Sequence, residues 1–185
     1  MIRTFIGVNI DPRTVQEISG LLVQLKPRLP GIRWVPSRNF HLTLKFLGDI
    51  EETKIDPIAD ALERALRPFP RFTINVKSLG VFPDGKRPRI LWVGLEGNRL
   101  PALALEIERA LEPLGFTPER RGFLPHLTVG RWRQSEAPAK AFAAELNQWQ
   151  RHEFGESKVA EVIFFRSELK PEGAFYHPLK VVVLA

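Results

Sequence analysis

The sequence predicts an α+β protein built as two similar lobes within a single domain spanning residues 1–185. Three observations predict it. Segments of strand period and helix period alternate along the chain. Their order runs twice: strand, helix, a strand opening on His-Leu-Thr, helix, strand. The two His-Leu-Thr strands, HLTLKFLG from residue 41 and HLTVGR from residue 126, also fall at matching places, with 36 positions from Phe5 to His41 and 35 from Leu91 to His126. An internal duplication accounts for all three economically. It predicts two pseudo-twofold-related lobes, each an antiparallel-rich sheet with helices on its outer face, around a central cleft.

The elements follow in order. Arg3 to Ile10 reads as a first strand. Asp11-Pro12 then marks a helix start, with Asp at the N-cap and Pro at the first helical position, where its missing N–H costs nothing. Val15, Ile18, Leu22 and Leu25 recur at helical spacing up to Pro27. A turn bearing Pro and Gly leads into HLTLKFLG. Ile55, Ile58, Leu62 and Leu66 predict a second helix over 52–66, with Pro57 leaving its start open. Phe72, Ile74 and Val76, and later Ile90 and Trp92, alternate with other residues as strands flanking a loop, VFPDGKRPR. A third helix over 100–114 carries Leu103, Ile107, Ala110 and Leu114 on one face and stops at Gly115. After HLTVGR come a fourth helix using Phe142, Leu146 and Trp149, a strand around Val159 to Phe165, and a last strand from Leu179 to Leu184.

Composition narrows the class. A hydrophobic fraction of 44% supports a real core, while no apolar run approaches the roughly 20 residues of a membrane span. The opening MIRTFIGVNIDP reads as a strand rather than a targeting segment, so a monomeric, cytoplasmic protein with no membrane partner is expected. The absence of cysteine excludes disulfides, thiolate metal sites and cysteine nucleophiles. Lys and Arg number 27 against 21 Asp and Glu, a net charge of +6 that favours an anionic partner such as phosphate or nucleic acid. GVFPDGK at 80–86 imitates a phosphate-binding loop, but Arg87 stands where Ser or Thr is needed. A strand pattern follows it instead of a helix, so no helix N-terminus is available to receive phosphate.

In a strand, alternate residues share a face. His41 and Thr43 therefore point one way while Leu42, Leu44 and Phe46 point into the core, and His126 and Thr128 stand likewise against Leu127 and Val129. Shuffling four His and seven Thr predicts about 0.15 His-x-Thr triplets in this chain; two occur, in register. Two imidazoles flanking one site can serve as base and acid near neutral pH, an arrangement suited to phosphodiester cleavage. Two histidines can also ligate a metal, but no H-E-x-x-H or comparable carboxylate pattern accompanies them. A serine hydrolase would need a G-x-S-x-G elbow, which is lacking.

The paired motifs, in HLTLKFLG and PHLTVGR, resemble those of the two-histidine (2H) phosphoesterases, above all the RNA 2′,3′-cyclic phosphodiesterases also called 2′-5′ RNA ligases. RTFIGVNI, GVFPDGKRPRILWVG and SELKPEGAFYHPL are similar to that family as well, so the resemblance covers nearly the whole chain. It implies a bilobal fold with the site in the central cleft. It further implies hydrolysis of 2′,3′-cyclic phosphate ends of RNA to 2′-phosphomonoesters without metal or other cofactor, with 2′-5′ ligation where a 5′-hydroxyl RNA end replaces water. Implied substrates range from tRNA fragments to cyclic nucleotides. His41 would be the proton donor to O3′, His126 the proton acceptor that activates water, and Thr43 and Thr128 the phosphate ligands.

Arg131 matches a basic position of the family, but strict alternation from His126 puts it on the opposite face, so its contact with substrate requires a bulge near Gly130. Lys45 shares parity with His41, which would let it neutralise phosphate, but it is read as an exposed strand lysine. Lys86, Arg87, Arg89, Arg120, Arg121 and Arg133 are candidates for tracking an RNA backbone. Phe82 and Trp34 are candidates for stacking on a base, and Tyr176 for a contact at the cleft rim. His152 and His177 lack the His-x-Thr setting and are read as structural or exposed.

Overall fold

The computed structural model describes residues 1–85, 87–120, 122–132 and 146–185. Nine strands and three helices are labelled in chain order. They are β1 (Ile2–Asn9), α1 (Pro12–Leu25), β2 (Ile32–Trp34), β3 (His41–Ile50), α2 (Ile55–Leu66), β4 (Phe72–Phe82), β5 (Ile90–Glu96), α3 (Leu100–Leu111), β6 (His126–Trp132), β7 (Glu153–Val159), β8 (Glu161–Lys170) and β9 (Gly173–Val183). A first sheet has the order β3-β1-β8-β9 and a second β2-β6-β5-β4-β7, with every pairing antiparallel.

The two motif strands occupy equivalent places: β3 pairs with β1 as β6 pairs with β5. The lobes are nevertheless not the two halves of the sequence. β4, from the first half, adds to the sheet of β5 and β6, whereas β8, from the second half, adds to the sheet of β1 and β3. Each half thus completes the other's sheet, and no linker is needed between them. The helices cross over too, since α1 packs against β7 and α3 against β3.

One continuous core runs from Ile6, Val8 and Leu42 through the buried stripes of the helices to Leu127 and Val129. Ile18, Leu22 and Leu25 of α1, Ile58, Leu62 and Leu66 of α2, and Leu103, Ile107 and Leu111 of α3 all lie inside it. Each such side chain contributes about 1.5–3 kcal/mol through burial. A second, small cluster of Phe5, Ile163 and Phe165, with Tyr176 against it, covers another part of the first sheet.

Several boundaries differ from expectation for identifiable reasons. Asp11 sits at the N-cap of α1, but its carboxylate accepts the N–H of Lys158 at 2.9 Å rather than capping its own helix. Pro57 lies in the first turn of α2, where helix amides have no intrahelical partner in any case. Pro113 cannot continue the α ladder, so α3 ends at Leu111 and tightens into a 3-10 turn closed by Gly115 at φ 89°. The strand expected at Val159 to Phe165 is two strands, β7 in the second sheet and β8 in the first, joined at Ala160. β9 begins six residues before the expected Leu179. Pro178 is tolerated within it because β9 is an edge strand. β2, three residues long, is too short to display a period. Of the expected fourth helix, residues 146–149 are helical and Phe142 lies outside the described residues.

Candidate active site

Both motifs place their side chains as alternation requires. Leu42 and Leu127 are fully buried, while His41, Thr43, His126 and Thr128 are half-buried on the other face. β3 and β6 pack against each other although they belong to different sheets. The two histidine-bearing faces therefore meet, and His41 lies within electrostatic range of both His126 and Arg131.

The two imidazoles are oriented in the same way. Nδ1 of His41 lies 2.7 Å from the Asn39 carbonyl oxygen, and Nδ1 of His126 lies 2.7 Å from that of Leu124. A carbonyl only accepts, so each Nδ1 carries the proton and donates. Each neutral ring is then left with a free Nε2 lone pair for proton transfer. The Asn39 carbonyl is itself held in place, because its buried side-chain amide donates to the Ala174 carbonyl at 2.8 Å. Neither carbonyl is legible from residue type, since any residue two positions before the histidine supplies one. Below His41 the backbone comes close: a Cβ on Gly7 would stand 2.7 Å from the Leu42 carbonyl oxygen and 3.5 Å from the His41 ring. A side chain there would displace β3 from β1.

Aromatic rings flank both histidines. His41 lies 4.7 Å from Phe5 and edge-on to Tyr176 at 5.0 Å, and Phe5 stacks on Phe165 at 4.9 Å. Tyr176 is thus a wall of the His41 site rather than only a rim contact. His126 has an edge-on neighbour of its own, Phe82, at 5.0 Å. Of the two aromatics expected to stack on a base, Phe82 is beside the site, whereas Trp34 pairs with Gly130 in β2–β6 and packs on the core.

The bulge that Arg131 requires exists. In β6, Gly130 pairs with Leu91 and Thr128 with Trp92, so Val129 is the extra residue and alternation resets after it. Arg131 thereby joins the face of His126 and Thr128, and its charge reaches both His41 and Tyr176. β3 carries the same irregularity at the same place: Thr43 pairs with Gly7 and Lys45 with Ile6, leaving Leu44 as the extra residue.

That second bulge corrects the reading of Lys45, which is buried rather than exposed. Its ammonium donates to the Glu108 carboxylate of α3 and, at 3.1 Å, to the Thr117 carbonyl. The bulge turns it from the cleft into the protein, and by the same reset Phe46, expected in the core, is 63% exposed instead.

Burial, above all, lowers the pKa of His41 from its ordinary 6.5. The positive charges of Arg131 and His126 push the same way, against the hydrogen bond to the Asn39 carbonyl, which raises it. Burial likewise raises Tyr176. Among the described residues, the hydroxyls of Thr43 and Thr128 have no hydrogen-bond partner, so both are free for a ligand. His152 packs edge-on against Trp149 and Phe154. His177 lies exposed beside Glu168 at 3.2 Å, so neither joins the paired site. Arg87, Arg89 and Arg120 are exposed, while Lys86, Arg121 and Arg133 lie outside the described residues. No group of three or more metal-ligating side chains occurs among the described residues, and no helix there is long and apolar enough to cross a membrane.

An α+β protein in which each of two sheets turns a His-x-Thr strand toward one cleft has the architecture of a two-histidine phosphoesterase. The family model described as LigT like phosphoesterase matches the chain twice, over residues 10–92 and 93–176, and the chain belongs to that family. An RNA 2′,3′-cyclic phosphodiesterase of Methanothermobacter thermautotrophicus is 34% identical over 184 residues, covering 97% of each chain. Its counterpart from Thermotoga maritima is 40% identical over 130 residues, 70% of this chain and 69% of the relative. Among solved structures, TT0787 of Thermus thermophilus matches with a TM-score of 0.84 at 26% identity, over 99% of this chain and 98% of that one. E. coli LigT complexed with 3′-AMP shares the fold with a TM-score of 0.80 at 24% identity, over 100% and 98% of the two chains.

Proposed function

We propose that this chain hydrolyses RNA 2′,3′-cyclic phosphate ends to 2′-phosphomonoesters by paired-histidine acid–base catalysis without a metal. The observation that carries the proposal is the matched pair of imidazoles, each held through Nδ1–H on a backbone carbonyl and each facing the same cleft with its Nε2 free. Neutral His126 takes a proton from water at Nε2 as the water oxygen bonds to phosphorus. The P–O3′ bond breaks, and protonated His41 delivers its Nε2 proton to the departing O3′. Thr43 and Thr128 donate to the non-bridging oxygens, and Arg131 offsets the charge that accumulates there. With a 5′-hydroxyl RNA end in place of water as the nucleophile, the same steps form a 2′-5′ linkage. The two family-model matches support duplication as the origin of the paired motifs.

The direct test mixes the protein with a 2′,3′-cyclic nucleotide, or a short RNA ending in one, in EDTA. The expected product is the 2′-monophosphate. No product from either substrate would leave only an RNA-end binding module, and product that requires added metal would overturn the metal-free mechanism.

His41 must be protonated to act as the acid, yet in the free protein burial and neighbouring charge favour its neutral form. An anionic phosphate bound between the histidines reverses the charge effect. NMR titration should therefore find His41 changing charge below its ordinary 6.5 in the free protein and at higher pH with inorganic phosphate bound. An unmoved titration would count against a phosphate site next to His41. The same group makes stability pH-dependent. Because its folded pKa is depressed, its contribution is complete above pH 6.5 and is lost as pH falls through the folded value.

A further inference from the structure

A cavity of about 290 Å³ opens beside His41. His41 lines it together with apolar side chains, Ile163, Phe165 and Val181 among them, and with the polar Asn9 and Arg38. The side-chain amide of Asn9 has no hydrogen-bond partner among the described residues. Arg38 is exposed, and its guanidinium lies 5.2 Å from the centre of the Phe175 ring. Lys170 stands 5.1 Å from the same ring, but it shares Glu168 with His177. No carboxylate among the described residues pairs with Arg38.

In-line displacement puts the attacking oxygen and the leaving oxygen on opposite sides of phosphorus. The ribose that owns O3′ must then lie on the side of the acid, His41, where the cavity is. An apolar lining with amide groups in it suits a nucleobase, whose faces are apolar and whose edges hydrogen-bond. Arg38 comes three residues before His41, so at most about 10 Å separates their Cα atoms, the scale of one nucleotide step.

We propose that this cavity seats the nucleoside bearing the cyclic phosphate, and that Arg38 at its mouth binds the phosphodiester joining that nucleoside to the preceding one. This rests on the acid role given to His41 above. The consequence is a preference for RNA ends over free cyclic mononucleotides, because only a longer chain has a phosphate for Arg38 to hold. A planar guanidinium meets such a phosphate through two parallel N–H bonds.

The test compares kcat/KM for 2′,3′-cyclic AMP with that for a diadenosine dinucleotide ending in a 2′,3′-cyclic phosphate. The wild-type protein should favour the dinucleotide, and Arg38→Ala should cut that preference about tenfold, mainly through KM. Arg38→Lys should restore part of it. Val181→Trp, which fills the cavity from an exposed position, should raise KM for both substrates. An Arg38→Ala variant that keeps the full preference, or loses equally on both substrates, would overturn the role of Arg38. An unchanged KM in Val181→Trp would overturn the nucleoside site. A wild-type protein inactive on both substrates would instead refute the underlying phosphodiesterase reading, and this proposal with it.

Discussion

Replacing either His41 or His126 with glutamine should lower turnover of a 2′,3′-cyclic phosphate at least about 100-fold while leaving the protein folded. A positioned general acid or base supplies about 10²–10⁴ in rate, and the two act in a single displacement. The double variant should therefore lose less than the product of the two single losses. Glutamine is preferred to alanine because it fills part of the space beside Phe5, Tyr176 or Phe82. Steady-state kinetics alongside thermal unfolding separates lost chemistry from lost structure. Near-normal turnover in either well-folded variant would refute the acid–base pair.

The largest expected effect on stability comes from Lys45. Its side chain is 7% exposed and that of its partner Glu108 is 16% exposed, so Lys45→Met leaves a carboxylate without its cation in a place water barely reaches. Breaking a buried pair by removing one partner costs about 3–5 kcal/mol, because the remaining charge is uncompensated. The double variant Lys45→Met/Glu108→Leu removes both charges and should recover most of that loss, as urea denaturation would show. A single variant that loses less than about 1 kcal/mol would mean that the pair behaves as a surface contact. The pair bears on the site because it ties β3 to α3 and to the Thr117 carbonyl, nine residues before His126. One contact thus links the strand of the first motif to the segment that leads into the second.

Lys45 also shows where sequence reasoning stops. Counting from His41 by twos puts Lys45 in the cleft, and counting from His126 puts Arg131 out of it. Both counts fail for the same reason, an extra residue at Leu44 and at Val129 that resets alternation in mid-strand. The family resemblance brings Arg131 forward as a candidate and Gly130 suggests a bulge, which lies one residue away. Nothing in HLTLKF signals its counterpart, because Leu44 is an ordinary core residue on either side of the irregularity. Tyr176 and Phe165 are equally silent as parts of the His41 site. β8 and β9 lie more than a hundred residues beyond β3, and no local pattern states which sheet they join.

Local chemistry written into the chain was enough to place α1, α2 and α3, most strands, the pairing of His41 with His126 and the hydroxyls beside them. Periodicity and a repeated triplet are properties of neighbouring residues, and neighbours in sequence remain neighbours in the fold. Tertiary structure alone decided that the halves exchange strands, that Lys45 turns inward while Arg131 turns toward the cleft, and that burial depresses His41 in the free protein. Those outcomes depend on register between distant strands and on the exclusion of water by distant side chains, which arise only when the whole chain has packed.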